Sequence, residues 1–176
     1  MKKLALIATL TALTSASTFA ASGDTSTGSV VFSGFVPGFV PNGDILVTGA
    51  GGNTDSASYQ GTLQVNADGT FETTKPVVLE AHDYTGAVLG AKVPANWTVS
   101  QVTVLPAAMG EVRPNIVVGD MKTTTELTNT DILAATQLSA GEDIQLYVAN
   151  KTAHSNPDDI VGTEVIVNVD MIATLP

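Results

Sequence analysis

The sequence predicts an all-β protein, built either as a sandwich or as a barrel. Thr, Val, Gly, Asn and Asp dominate, and charged residues make up only 14% of the chain. Turn dipeptides such as Asn42-Gly43 and Asp68-Gly69 separate short apolar stretches at fairly regular intervals, and helical periodicity is scarce. Short strands punctuated by frequent turn signals are typical of all-β architectures.

The clearest predicted hairpin runs from Gly61 to Thr74. Leu63 and Val65 alternate with polar residues up to the turn Asn66-Ala67-Asp68-Gly69, and alternation resumes beyond it. Further strands are predicted at Ile45–Thr48, Val77–Ala81, Thr98–Leu105, Asn115–Val118, Ile144–Ala149 and Glu164–Ala173. One short helix is expected within Thr128–Leu138, with Asn129 or Thr130 as its N-terminal cap.

The first twenty residues have the composition of a secretory signal. Met1-Lys2-Lys3 is basic, Leu4–Leu13 is mostly apolar, and Thr18-Phe19-Ala20 offers small residues for cleavage after Ala20. A buried N-terminal helix is the alternative interpretation. The apolar run is shorter than the ~20 residues of a membrane-spanning helix. We therefore predict a signal peptide at residues 1–20, an extension at 21–40 and one domain at 41–176, about the length of a single hydrophobic core.

Charge and cysteine content exclude several function classes. Two of the seven basic residues lie in the predicted signal, which leaves five against 17 acidic side chains and a formal charge of −12. Nucleic acid is an unsuitable partner for such a chain, because the phosphate backbone requires the opposite sign. The chain has no cysteine, so it has no disulfide, thiol nucleophile or thiolate metal site.

The predicted C-terminal strand has one mainly apolar face. Its apolar positions are Val165, Val167, Val169, Met171 and Leu175, while Glu164, Asn168, Asp170 and Thr174 lie mainly on the other face. Ile166 and Ile172 interrupt the polar face. We expect the outer edge of this strand to need a partner, because an unpaired edge promotes aggregation.

A second alternating segment follows the predicted cleavage site by about ten residues. Val30, Phe32, Gly34 and Val36 project to one side of the extended segment Ser29–Pro37. This segment resembles the N-terminal donor strand of chaperone–usher pilins, in a cysteine-free branch similar to the major pilins of the coli surface antigens. The resemblance covers the signal, the first sixteen mature residues and the last fifteen; the family's aromatic next-to-last residue is replaced here by Leu175.

That resemblance implies an immunoglobulin-like β-sandwich that is incomplete and is completed by a donor strand from a neighbouring subunit. It implies that Val30, Phe32 and Val36 insert into a groove and that Gly34 lies where the groove is too shallow for a Cβ. Val165, Val167, Val169, Met171 and Leu175 would form the groove-edge strand that a chaperone contacts.

The implied function is that of a structural subunit of a surface fimbria that supports adhesion. The expected partners are identical or related subunits, a periplasmic chaperone, an outer-membrane usher and a host-cell receptor; no cofactor, metal or catalytic residue is expected. The chain would be exported through the periplasm to the cell surface. The alternative is a self-contained secreted β-sandwich adhesin or glycan-binding module, in which Val30–Val36 is simply the first strand.

Three other features of the sequence are candidate sites. His82-Asp83-Tyr84 is the best catalytic candidate, but no nucleophile accompanies it and a surface loop is predicted. Asn156-Pro157-Asp158-Asp159 offers oxygen ligands for calcium, although an Asx-rich turn explains it more simply. Trp97 is predicted to pack in the core, with a carbohydrate-stacking platform as the alternative.

Overall fold

The computed structural model describes residues 44–176, which form two antiparallel β-sheets. The strands are β1 (Ile45–Gly49), β2 (Thr62–Val65), β3 (Phe71–Lys75), β4 (Val77–Asp83), β5 (Ala95–Leu105), β6 (Ile116–Asp120), β7 (Thr125–Leu127), β8 (Gln137–Gly141), β9 (Asp143–Asn150) and β10 (Ile166–Thr174). A helix, α1, spans Asn129–Leu133. The prediction of an all-β fold is confirmed.

Several predictions fall outside the described residues. These are the signal at 1–20, the extension at 21–40, and the donor-strand residues Val30, Phe32, Gly34 and Val36. Among residues 44–176, no helix combines the length and apolar character that crossing a membrane would require.

The larger sheet has seven strands arranged around β9. On one side β9 pairs with β6, which pairs in turn with β7. Along its other edge β9 pairs with both β4 and β3, which lie one after the other and are separated by Pro76. β4 pairs in turn with β1, and β3 pairs with β2. The Thr73 hydroxyl extends this ladder, because it donates to the Val148 carbonyl and accepts from the Val148 N–H, both at 2.9 Å.

The smaller sheet has three strands in the order β10-β5-β8. Its β10–β5 ladder places Val167 opposite Val104 and Val169 opposite Val102. The register shifts between Asp170 and Met171, where a β-bulge lies. The two sheets share one hydrophobic core, so β10 is held in place by β5 on one edge and by the core beneath it.

Trp97 lies at the centre of that core. Its exposed fraction is 0%, and its indole N–H donates to the Gly141 carbonyl at 2.9 Å. The prediction of core packing is therefore confirmed, and a fully buried ring offers no face on which a sugar could stack.

The predicted hairpin is also confirmed. β2 and β3 are joined by a turn in which the Asn66 N–H donates to the Thr70 carbonyl at 2.8 Å and the Asp68 carboxylate accepts from the Thr70 N–H at 3.0 Å. Gly69 has φ of 83°, a conformation that glycine adopts without strain.

The prediction of a short helix within Thr128–Leu138 is confirmed, but the predicted cap is wrong. Thr128 is the N-cap, and it forms a capping box with Asp131. The helix ends at Leu133, and Gln137–Gly141 forms β8, which pairs with β5. Neither β7 nor β8 was predicted.

Candidate functional site: an open groove beside β10

The two faces of β10 differ in burial, as the alternation of its sequence predicts. Val167, Val169, Met171 and Ala173 are partly buried against the core, whereas Asn168, Asp170 and Thr174 are exposed. Val165, just before β10, also packs on the core. Leu175 follows the end of the strand and is 48% exposed, and Ala173 occupies the last core-facing position of β10.

One edge of β10 carries no ladder partner among residues 44–176. The strand pairs with β5 alone, whereas β5 is paired on both sides. In an antiparallel ladder, every second residue of an edge strand directs both its N–H and its C=O outward, so a strand of this length offers about four such positions. An edge of this kind is a template for the addition of another strand.

A groove with a volume of about 530 Å³ runs beside this edge. Its β10 wall includes Val167, Val169, Met171 and Ala173. The facing wall is the inner side of the larger sheet and includes Ile45, Val47, Leu63, Leu79, Leu146 and Val148. Within residues 44–176, the three strands of the smaller sheet therefore do not cover all the apolar side chains on this side of the seven-stranded sheet.

The groove is chemically suited to a neutral, apolar occupant. Asp170 is the only carboxylate among its described lining residues, and none of them is a lysine, arginine or histidine. The hydroxyl of Tyr59 donates to the Val47 carbonyl at 3.4 Å, and burial raises the pKa of this tyrosine, which keeps it neutral at physiological pH. Such a lining favours side chains like Val and Phe and penalises a charged group.

The prediction of a surface loop at His82-Asp83-Tyr84 is wrong for its first two residues. His82 and Asp83 belong to β4, and His82 is only 8% exposed. β4 continues beyond Ala81 because it remains paired with β1, where His82 lies opposite Leu46. The His82 ring lies between the Gly90 carbonyl, 3.0 Å away, and a carboxylate oxygen of Glu80, 3.2 Å away.

Glu80 and His82 belong to a network of charges on the face of β4 that points away from the groove. Lys92 lies 3.6 Å from the Glu80 carboxylate and 3.5 Å from that of Asp143, which also contacts Lys122. Burial opposes ionisation of Glu80, but hydrogen bonds from His82 and from the Gly52 N–H outweigh it and lower the pKa of Glu80. The Lys122 hydrogen bond lowers the pKa of Asp143. These contacts hold the segments that contain Gly52, Lys92 and Lys122 against the larger sheet.

The candidate calcium residues form a compact turn. Pro157–Asp159 is a turn of 3-10 helix, and the Ile160 N–H donates to the Pro157 carbonyl at 3.1 Å. In the part of the chain that the structure describes, no group of three or more His, Asp or Glu residues is arranged to hold a metal ion.

Comparison with known proteins gives no relative from which a function can be transferred. No protein-family model, no curated protein and no solved structure matches this chain.

Proposed function

We propose that this chain is a structural subunit of a bacterial surface fimbria and polymerises by donor-strand exchange. The observation that carries the proposal is the groove itself, an apolar channel beside the edge of β10 that has no partner strand within residues 44–176. The same sequence contains a segment of alternating apolar residues with matching chemistry at Val30–Val36. In this proposal the domain is an immunoglobulin-like sandwich that lacks one strand, and the neighbouring subunit supplies it.

The dimensions of the two strands agree. At about 3.4 Å per residue, the nine residues of β10 extend for about 30 Å and the seven residues Val30–Val36 for about 24 Å. A donor strand of that length lies within the edge, where main-chain hydrogen bonds supply affinity and alternate side chains fill the groove.

The energy of insertion is large for a domain of this size. Burying Val30, Phe32 and Val36 contributes roughly 1.5–3 kcal/mol each, or roughly 4.5–9 kcal/mol in total before the backbone ladder is counted. The net stability of a whole domain is about 5–15 kcal/mol. A subunit without the strand is thus marginally stable and needs a periplasmic chaperone until a neighbour replaces it.

Donation from one subunit to the next is a heterologous contact, and such contacts generate open filaments. Assembly at an outer-membrane usher, after export directed by residues 1–20, would deliver the filament to the cell surface. A host-cell receptor remains a proposed partner of the fibre. The negative charge of the mature chain keeps unassembled copies soluble.

The second candidate function is a self-contained secreted adhesin or glycan-binding module. The volume of the groove favours it in one respect, because 530 Å³ lies within the usual range of small-molecule sites, about 300–1,000 Å³. In that case Val30–Val36 would be an ordinary first strand of the same domain. The burial of Trp97 removes the stacking platform that this alternative would use.

Cysteine crosslinking distinguishes the two functions, since the chain contains no cysteine of its own. Ser33 faces away from the groove if Phe32 faces into it, and the outward face of β10 carries Asn168 and Asp170. We expect Ser33→Cys combined with Asn168→Cys or Asp170→Cys to give a ladder of covalent oligomers on a non-reducing gel after mild oxidation of assembled fibres. Neighbouring strands lie about 4.8 Å apart, within disulfide reach.

The matched control places the second cysteine on β5. Thr103 lies opposite Asn168, so it is one strand farther from the open edge. Two strand spacings are about 10 Å, which exceeds disulfide geometry, and Ser33→Cys with Thr103→Cys should give no ladder. A fast-migrating, internally crosslinked monomer in the β10 variants, with no ladder, would instead support the self-contained module.

A further inference from the structure

His154 is a buried histidine that connects three separate segments. Its exposed fraction is 6%. Its backbone N–H donates to the Asp68 carbonyl in the β2–β3 turn at 2.7 Å, and its ring nitrogen Nε2 lies 2.8 Å from the Ala108 carbonyl in the 107–115 segment. The chain then continues through the Pro157–Asp159 turn and the buried Ile160 into β10.

The contacts of the ring suit two protonation states. Nε2 has a carbonyl partner, so it carries a proton in both states. Nδ1 lies 2.9 Å from the Asn156 carbonyl and 3.1 Å from the Asn156 N–H. A neutral ring accepts the Asn156 N–H at Nδ1, whereas a protonated ring donates to the Asn156 carbonyl.

The charged groups around the ring favour the protonated state. From the 107–115 segment, the Glu111 carboxylate lies 3.4 Å from Nδ1 and also accepts hydrogen bonds from the Ser155 N–H and hydroxyl. From its own loop, Asp159 adds a second negative charge. The β2–β3 turn contributes a carboxylate, Asp68, which accepts hydrogen bonds from Thr70.

We propose that protonation of the His154 ring strengthens the contacts that hold the segment before β10 against the 107–115 segment and the β2–β3 turn. This set of contacts is called the His154 clamp. Protonation adds an ion pair with Glu111 and leaves both ring nitrogens donating to carbonyl oxygens. The clamp depends only on residues 68–160 and holds whether or not the chain forms fibres.

The direction of the pH dependence follows from the environment of the ring. The hydrogen bond to the Ala108 carbonyl raises the pKa of His154 above its ordinary value of 6.5; burial opposes this, and Glu111, Asn156 and Asp159 add to it. A raised pKa in the folded state means that protonation stabilises the fold. The contribution of the clamp is therefore fully present below pH 6.5 and is lost as the pH rises through the higher folded-state pKa.

An NMR titration of the full chain from pH 5 to pH 9 tests the clamp directly. We expect the His154 ring to titrate with a midpoint above 6.5 and, when neutral, to carry its proton on Nε2. The Asn156 amide resonance should shift with the same midpoint, because that N–H loses its acceptor on protonation. A midpoint at or below 6.5, or an Asn156 amide that does not follow the ring, would overturn the proposal.

Variants separate the clamp from ordinary packing. His154→Gln retains a donor for the Ala108 carbonyl but cannot titrate, so its melting temperature should fall less than that of the wild type between pH 6 and pH 8.5. Glu111→Gln should lower the His154 midpoint, because it removes the negative charge 3.4 Å from Nδ1. Identical pH profiles for wild type and His154→Gln would contradict the clamp, as would an unchanged midpoint in Glu111→Gln.

Discussion

Phe32→Asp is expected to abolish fibre formation while leaving the fold of the subunit's own domain intact. In the proposed fibre, Phe32 of one subunit inserts into the groove of the next. Aspartate loses the burial energy of the ring, roughly 1.5–3 kcal/mol, and brings a charge into a groove whose described lining has no cation to pair with it. Electron microscopy of assembled material and circular dichroism of the isolated subunit measure the two effects.

Ser33→Asp is the matched control, because in the proposed fibre it adds the same charge one residue along, on the face of the donor strand that points away from the groove. It should polymerise nearly as the wild type does. Gly34→Val should also block assembly, because the resemblance to donor strands implies that the groove has no room for a Cβ at this position. Normal fibres from Phe32→Asp would disprove donor-strand exchange. If Phe32→Asp unfolded its own domain, Val30–Val36 would instead be a strand of the same chain.

Trp97→Ala is expected to cost about 3–5 kcal/mol of unfolding free energy, the usual range for removing a fully buried aromatic side chain. The ring is 0% exposed, and its N–H is the hydrogen-bond partner of the Gly141 carbonyl. Because a domain of this size has only about 5–15 kcal/mol of net stability, the variant should be close to unfolding at physiological temperature. Urea unfolding monitored by circular dichroism gives the value.

Trp97→Phe is the control for this prediction. It retains an aromatic ring and loses the donor to Gly141, so its cost should be on the order of 1–3 kcal/mol, the penalty for an unsatisfied buried carbonyl. A cost below about 1 kcal/mol for Trp97→Ala would be typical of a surface position and would contradict the central place of this ring in the core.

The sequence predicts the elements that are specified by residues close together in the chain. The Asn66–Gly69 turn specifies the β2–β3 hairpin because glycine and Asx residues satisfy the turn directly, and the alternation after Val165 specifies β10. The elements that were missed lack such signals. β7 has three residues, and Gln137–Gly141 has few β-branched residues and becomes a strand through its pairing with β5.

Half of the candidate site was also predictable. The β10 wall follows from alternation alone, whereas the facing wall brings together Ile45, Leu63 and Leu146, which are distant in sequence and meet only through the pairing order of the larger sheet. The burial of His82 also depends on contacts between residues distant in sequence, and the sequence alone therefore does not predict it. The loops that cover it, around Gly52 and Gly90, are positioned by tertiary contacts with Glu80 and Asp83.

We propose that the groove beside β10 is completed by a strand with the sequence of this chain's own N-terminal extension. The most direct measurement is the melting temperature of a domain lacking residues 21–40, alone and after addition of a synthetic Thr27–Pro41 peptide. We expect the truncated domain to be marginally stable and to gain a large, slow and nearly irreversible increase in melting temperature with the peptide. A truncated domain that is already stable and does not respond to the peptide would contradict it.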